Sequence, residues 1–235
     1  PIDVQVRADG KIYVLDQANA RVRLMDEAGN VTTYAGSGVV GLVNGPADKA
    51  TFNRPAAMTL DSSGVLFVSD LNNHRIRRID TNANVTTYAG VGYGNVDGPS
   101  SIAKFGNPRG MDVTPAGVLY VADMANNSIR RIDTKGFTIT VASGHNGKGH
   151  RNGDGILAGL MYQPYDVQVD GAGNVFICDY WNFRIRVLSA SGSMRTLAGG
   201  KYQNKGNDNG NSDGTGGTVK FHYPTSLLLD GDALY

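Results

Sequence analysis

Short runs of alternating apolar and polar residues recur along the chain, four to a unit. Asp166-Val167-Gln168-Val169-Asp170 is typical of the first run in each unit. A Gly-centred turn such as Asp9-Gly10 or Ser63-Gly64 closes it, and period-two alternation followed by such a turn predicts a half-buried strand entering a hairpin. The second run is apolar and ends in aspartate, as in Val14-Leu15-Asp16 and Ile177-Cys178-Asp179. The third follows an Asn-containing turn, as in Arg75-Ile76-Arg77-Arg78-Ile79, and the fourth reads Val31-Thr32-Thr33-Tyr34-Ala35 and again Val85-Thr86-Thr87-Tyr88-Ala89. No 3.6-residue periodicity intervenes. Four antiparallel strands repeated at even spacing predict an all-β chain whose four-stranded sheets stack radially as the blades of a propeller, because a lone sheet cannot bury both of its faces.

The prolines that open the units, Pro1, Pro55, Pro108, Pro164 and Pro224, divide the chain into repeats 1–54, 55–107, 108–163 and 164–223 and a partial repeat 224–235. Each complete repeat contains its core phrase and a Gly-rich insert. The fifth stops at Leu234-Tyr235, where the earlier repeats read Ile12-Tyr13-Val14 or Leu66-Phe67-Val68. Six blades of this length would need roughly 330 residues, and five would lack only two strands here. A six-bladed disc is the expectation, with five blades as the alternative, and the chain reads as a segment of a longer polypeptide.

Composition narrows the functional classes. Lys and Arg number 22 against 21 Asp and Glu, a net charge of +1, which is not the footprint of a nucleic-acid binder. No apolar run approaches the length of a membrane helix. A single Cys, Cys178, makes no internal disulfide, and it occupies a strand slot filled elsewhere by Leu15, Ser69 and Ala122, as a buried inert thiol would. The 32 glycines point to many turns.

The phrase P-x-x-h-x-V-x-x-x-G-x-h-[YF]-V-x-D-x-x-N-x-R-[IV]-R-x-[IL], followed by V-T-T-Y-A-G, resembles the NHL-repeat β-propeller. Inserts such as residues 38–55, ending N-G-P-A-D-K-A-T-F-N-R-P, are similar to those of bacterial and plant NHL proteins. The resemblance spans the chain. It implies a propeller that serves as an interaction scaffold, while six-bladed relatives include lyases, lactonases and RNA-binding modules.

The most regular polar feature is the set Asp16/Asn19/Arg23, Asp70/Asn73/Arg77, Asp123/Asn126/Arg130 and Asp179/Asn182/Arg186. An active site needs one constellation and this one recurs in every complete unit. It is therefore read as structural: Asp ends the second strand, Asn makes the turn through side-chain to backbone bonding and Arg lies opposite on the third strand as a charge partner. What differs between units is more informative. The turn after the aspartate reads Tyr180-Trp181-Asn182-Phe183 in the fourth repeat and Leu71-Asn72-Asn73-His74 in the second. This turn shares a face with the inserts, so Tyr180, Trp181, Phe183, His74, Tyr93 and Tyr202 are the candidate binding residues for a protein or a glycan. The competing reading is that these rings anchor the inserts, the role also assigned to Phe52, Phe105 and Phe221.

No cofactor is expected. Asn209, Asn211 and Asp213 match the first half of a calcium loop, but Lys220 stands where the bidentate Glu belongs. His74, His145, His150 and His222 lie in turns or inserts without zinc-site spacing. Asn30, Asn84 and Asn126 open glycosylation sequons, which a secretory eukaryote would use. The resulting expectation is a non-catalytic scaffold, extracellular or at a cell surface, presenting an insert-rich face to a protein or glycan, with no nucleic acid, no membrane insertion, and self-association or a larger chain as further options. The alternatives are a hydrolase or lyase with a metal at the central channel, and an RNA-binding module.

Overall fold

A computed structural model describes residues 1–144, 151–154, 160–200, 209–231 and 233–235. The first four-stranded sheet is β1 (Asp3–Val6), β2 (Ile12–Asp16), β3 (Arg21–Met25) and β4 (Val31–Ala35). The second is β5 (Pro55–Leu60), β6 (Leu66–Asp70), β7 (Arg75–Ile79) and β8 (Val85–Ala89), and the third is β9 (Pro108–Val113), β10 (Leu119–Asp123), β11 (Ser128–Ile132) and β12 (Thr138–Ser143). After the two-residue strand β13 (Gly153–Asp154), the fourth sheet is formed by β14 (Pro164–Val169), β15 (Val175–Asp179), β16 (Arg184–Leu188) and β17 (Ser193–Ala198). A short hairpin, β18 (Leu229–Asp230) and β19 (Ala233–Leu234), begins a fifth unit. Every pairing within these sheets is antiparallel.

The core lies between sheets. Tyr13, Leu15 and Val22 of the first sheet pack with Met58, Val68 and Ile79 of the second, Phe67 and Ile76 with Met111 and Val121 of the third, and Ala122 and Ile129 with Val167 and Ile177 of the fourth. The first strands β1, β5, β9 and β14 stand side by side and, with residues 225–228, line one central cavity. That is a propeller. The outer strands carry the Tyr of the V-T-T-Y-A phrase, and its hydroxyl crosses to the next sheet: Tyr34 donates to the Asp80 carbonyl at 3.1 Å and Tyr88 to that of Asp133 at 2.8 Å.

The inserts do more than lie on one face. Gly45 exchanges two backbone hydrogen bonds with Val85 of β8, Gly98 exchanges two with Thr138 of β12, and β13 pairs with β17. Each of these three inserts therefore runs outward and adds a short fifth pairing segment to the following sheet, which covers an edge that would otherwise offer unpaired backbone groups. Phe52 and Phe105 anchor the inserts and are fully buried, Met161 is the buried residue at the equivalent place before Pro164, and Phe221 is half-buried.

The repeated Asp, Asn and Arg residues tie the inserts down. Arg77 donates to Asp70 at 2.7 Å and also to the Thr51 and Val43 carbonyls and the Asn44 side chain. Arg130 does the same toward Asp123, the Lys104 and Val96 carbonyls and Asp97, and Arg186 toward Asp179, the Leu160 and Arg151 carbonyls and Asn152. The ion pair is diagonal: Arg75 faces Asp70 in register, yet the contact is to Arg77. One detail of the expected turn chemistry is corrected. Asn19, Asn73, Asn126 and Asn182 bond the aspartate carboxylate rather than their own turn, and Asn73 and Asn126 reach on to the insert carbonyls of Gly41 and Gly94. The turn itself is a single 3-10 turn closed by a left-handed residue, Ala20, His74, Asn127 or Phe183. In the first sheet the Asp16–Arg23 pair is 3.2 Å apart and partly exposed.

Candidate functional site at the channel mouth

The first strands enter the sheets through a bulge. Pairing shifts between Pro55 and Ala57, across Arg109 and Gly110, and between Pro164 and Val167. A bulge releases a residue from the ladder and re-aims its side chain, here Ala56, Arg109 and Tyr165. The residue before each proline is held in the left-handed region: Arg54, Asn107, Gln163 and Tyr223 have φ between 51° and 59°. Left-handed backbone at a non-glycine residue costs about 1–2 kcal/mol, and the fold imposes it four times while the side chain changes each time. Of these positions Arg54, Ala56, Arg109 and Tyr165, with the turn residue Gln17, line the mouth of the channel on the turn-and-insert face, and the turn residue Tyr180 stacks on Tyr165 beside it.

One side of the mouth is aromatic. The Arg109 guanidinium lies 3.7 Å over the Tyr165 ring, Tyr165 stacks on Tyr180 at 4.2 Å, and Tyr180 stacks on Tyr223 at 4.8 Å. Trp181, Phe183 and His222 close on Tyr223 at 5.0, 5.1 and 4.4 Å. The Trp181 indole N–H donates to Gln163 at 2.7 Å, and the residue remains 40% exposed. Tyr180 has Tyr165 and Tyr223 stacked on it, so it props the assembly and does not itself offer an open ring face.

Thus three of the candidate binding residues, Tyr180, Trp181 and Phe183, come together. His74 and Tyr93 form a separate edge-to-face pair, 5.1 Å apart, on the second repeat. The His74 imidazole is partly buried with Nδ1 unpartnered, and burial, then Arg75, lowers its pKa. Tyr202, His145 and His150 lie outside the described residues. Arg54, Arg109, Tyr165 and Tyr223 went unrecognised in the sequence. Their signal was there: each flanks an anchoring proline, at a position where the residue type changes from repeat to repeat.

The channel is about 490 Å³ in volume. Its wall carries three carboxylates that the motif search also missed. Asp3 accepts the Met58 N–H at 2.7 Å, Asp112 the Val169 N–H at 2.9 Å and Asp166 the Leu227 N–H at 2.8 Å, so each clasps the first strand of the next unit. Burial pushes Asp3 up to about 6 and Asp166 up to about 7, the latter helped by the Asp3 charge, and burial raises Asp112 as well. A Cβ at Gly110 would collide with the Asp166 backbone and carboxyl, so only glycine admits Asp166 to this place.

The remaining candidates are dispersed. Among the described residues no three His, Cys, Asp or Glu side chains converge to hold a metal ion. Asn209, Asn211 and Asp213 are exposed on a loop whose backbone pairs Ser212 with Lys220. Cys178 is fully buried, which pushes its thiol pKa up. Asn30 is exposed and Asn84 half-buried, both in turns between third and fourth strands, at the opposite end of the sheets from the mouth. Asn126 differs from these two: its amide donates to Asp123 and Gly94, and a glycan on that nitrogen would displace one of the two bonds.

The family model for the NHL repeat matches residues 52–79, which is the second repeat from its insert anchor to the end of β7. The repeat is the NHL repeat. Human NHL repeat-containing protein 2 is 23% identical over 249 aligned positions that cover 94% of this chain and 34% of that protein. The curated relatives are much longer, the chain spanning 8% of the first and 34% of this one. Among solved structures, an auxiliary nutrient binding protein from Bacteroides ovatus superposes with a TM-score of 0.70 at 17% identity, covering 96% of this chain and 53% of its own. Virginiamycin B lyase from Staphylococcus aureus superposes at 0.60 and 15% identity, covering 99% and 60%. These structural likenesses show the propeller fold.

Proposed function

We propose that this NHL propeller is a non-catalytic binding module whose ligand, a glycan, docks on the aromatic mouth of the channel. The observation that carries the reading is the continuous assembly of Arg109 and Tyr165, placed by bulges, Tyr223, placed by left-handed backbone, and Tyr180 and Trp181, placed by the 3-10 turn, at positions whose side chains vary on a constant backbone. Flat aromatic groups offer contact area at low entropic cost, and a concave site with a few directed polar groups is the usual form of a small-ligand pocket. The likeness in fold to nutrient-binding propellers supports it. An extracellular or surface location belongs to the same proposal and is tested by fractionating the native host.

A glycan-array screen of the whole chain, repeated with Trp181→Ala and Tyr223→Ala, tests the function. Each substitution is expected to weaken the recognised glycan at least about tenfold, the scale of a lost stacking contact, with far-UV circular dichroism unchanged. Glycan binding indifferent to both substitutions would overturn the assignment of this patch. Binding only to protein probes would overturn the glycan reading.

A further inference from the structure

Arg54 and Arg109 both line the channel mouth. They are close enough for Arg54 to lower the pKa of Arg109, behind the larger effect of burial. Neither makes a salt bridge among the described residues, and the Arg109 Nε is buried without a hydrogen-bond partner. Arg77 and Arg130 also leave Nε without a partner, but they and Arg186 are each paired with an aspartate of their own, as Arg54 and Arg109 are not among the described residues. Nor does the repeat require arginine at these places, since Asn107, Gln163 and Tyr223 take the position of Arg54, and Ala56, Tyr165 and Thr225 that of Arg109. Two neighbouring guanidinium groups facing a concave, partly dehydrated cavity repel each other. They become favourable together when one anion sits between them, because a planar guanidinium fork matches a carboxylate.

The rest of the cavity selects among anions. Asp3, Asp112 and Asp166 line the same cavity with carboxyl oxygens, each of which has lone pairs beyond the backbone hydrogen bond it accepts. They disfavour a doubly charged phosphate and suit a ligand rich in hydroxyl donors. The exposed Trp181 indole packs on Tyr180, which packs on the Tyr165 ring beneath Arg109. Acid, hydroxyl donors and a flat apolar face together describe one chemical class.

We infer that the channel mouth binds an acidic saccharide, with Arg54 and Arg109 holding the carboxylate of a uronic-acid-type sugar and Trp181 taking the face of an adjoining ring. This rests on the proposed glycan-binding function and names its ligand class. Isothermal titration of the whole chain with digalacturonate, its dimethyl ester and inorganic phosphate tests it, since the first two differ in little but charge. Digalacturonate is expected to bind at least about tenfold tighter than the ester, the scale of a charge-assisted hydrogen bond, and tighter than phosphate. Arg54→Gln, at an exposed position, and Arg109→Gln are each expected to bring the acid-to-ester ratio close to one. Equal affinity for acid and ester, with both lost in Trp181→Ala, would overturn the acidic class and leave the glycan function standing. Phosphate binding tighter than digalacturonate would reduce the site to an anion site and overturn the saccharide. Binding of none of the three overturns this inference, while the array decides the broader function separately.

Discussion

Asp166 shows how one residue can serve the fold and carry a cost. Its two oxygens accept the N–H groups of Leu227 and Val167, and its largely buried carboxyl titrates at about 7, against an ordinary value of 3.8. Between those values the folded protein binds a proton that the unfolded chain has released, so the contribution of Asp166 to stability is greatest in acid and declines as pH rises from about 4 to about 7. Asp3 acts in the same direction. The melting temperature of Asp166→Asn relative to the parent chain is therefore expected to rise between pH 5 and pH 8, whatever the offset from the lost hydrogen bond. A difference that stays flat across that range would show that Asp166 ionises freely in the fold.

At the scale of elements, the arginine of each repeat is a clamp on the insert that precedes it. Removing Arg130 strands Asp123 in a fully buried place and frees the Lys104 and Val96 carbonyls. Breaking a buried pair by deleting one partner costs about 3–5 kcal/mol, while a partly exposed pair such as Asp16–Arg23 is worth about 0–1 kcal/mol. Urea denaturation is expected to show Arg130→Ala destabilised by the larger amount and Arg23→Ala by the smaller, although the two residues occupy the same place in the repeat. The difference comes from the insert: residues 96–98 and 104 close over Arg130, and among the described residues no insert covers Arg23. The pattern D-x-x-N-x-x-x-R is the same in both repeats, so its energetic weight could not be read from the pattern.

In the whole molecule, each sheet buries its faces only against its neighbours, so stability grades along the arc as nearest-neighbour contacts do in other repeat proteins. The second and third sheets have a neighbour on both sides and an insert across the outer edge. The first sheet leaves Val4 and Val6 exposed, and the last hairpin has two-residue strands. Amide hydrogen exchange should be slowest in β6 and β10 and fastest in β1 and in β18–β19, since local opening follows local burial. Uniform protection from β1 to β19 would mean that the arc is closed by contacts not described here.

Strand order, repeat boundaries and the four-stranded sheet were legible in the chain, because alternation with a period of two, Gly-centred turns and a recurring proline are local properties of sequence. So was the cluster of rings after Asp179, since Tyr180, Trp181 and Phe183 are neighbours in one turn. The site around them was not. Arg54, Arg109, Tyr165 and Tyr223 come from two repeat positions in three different repeats, and Asp3 and Asp166 are 163 residues apart. Only the radial closure of the sheets, driven by burying both faces of each, brings their first strands onto one axis. Bulges and left-handed backbone then decide which side chains reach the mouth. The sequence by itself determined the repeating unit, because hydrogen bonding and burial within a unit are short-ranged. The tertiary structure alone decided the site, because it is assembled across repeats from positions where the unit fixes the backbone and leaves the side chain free.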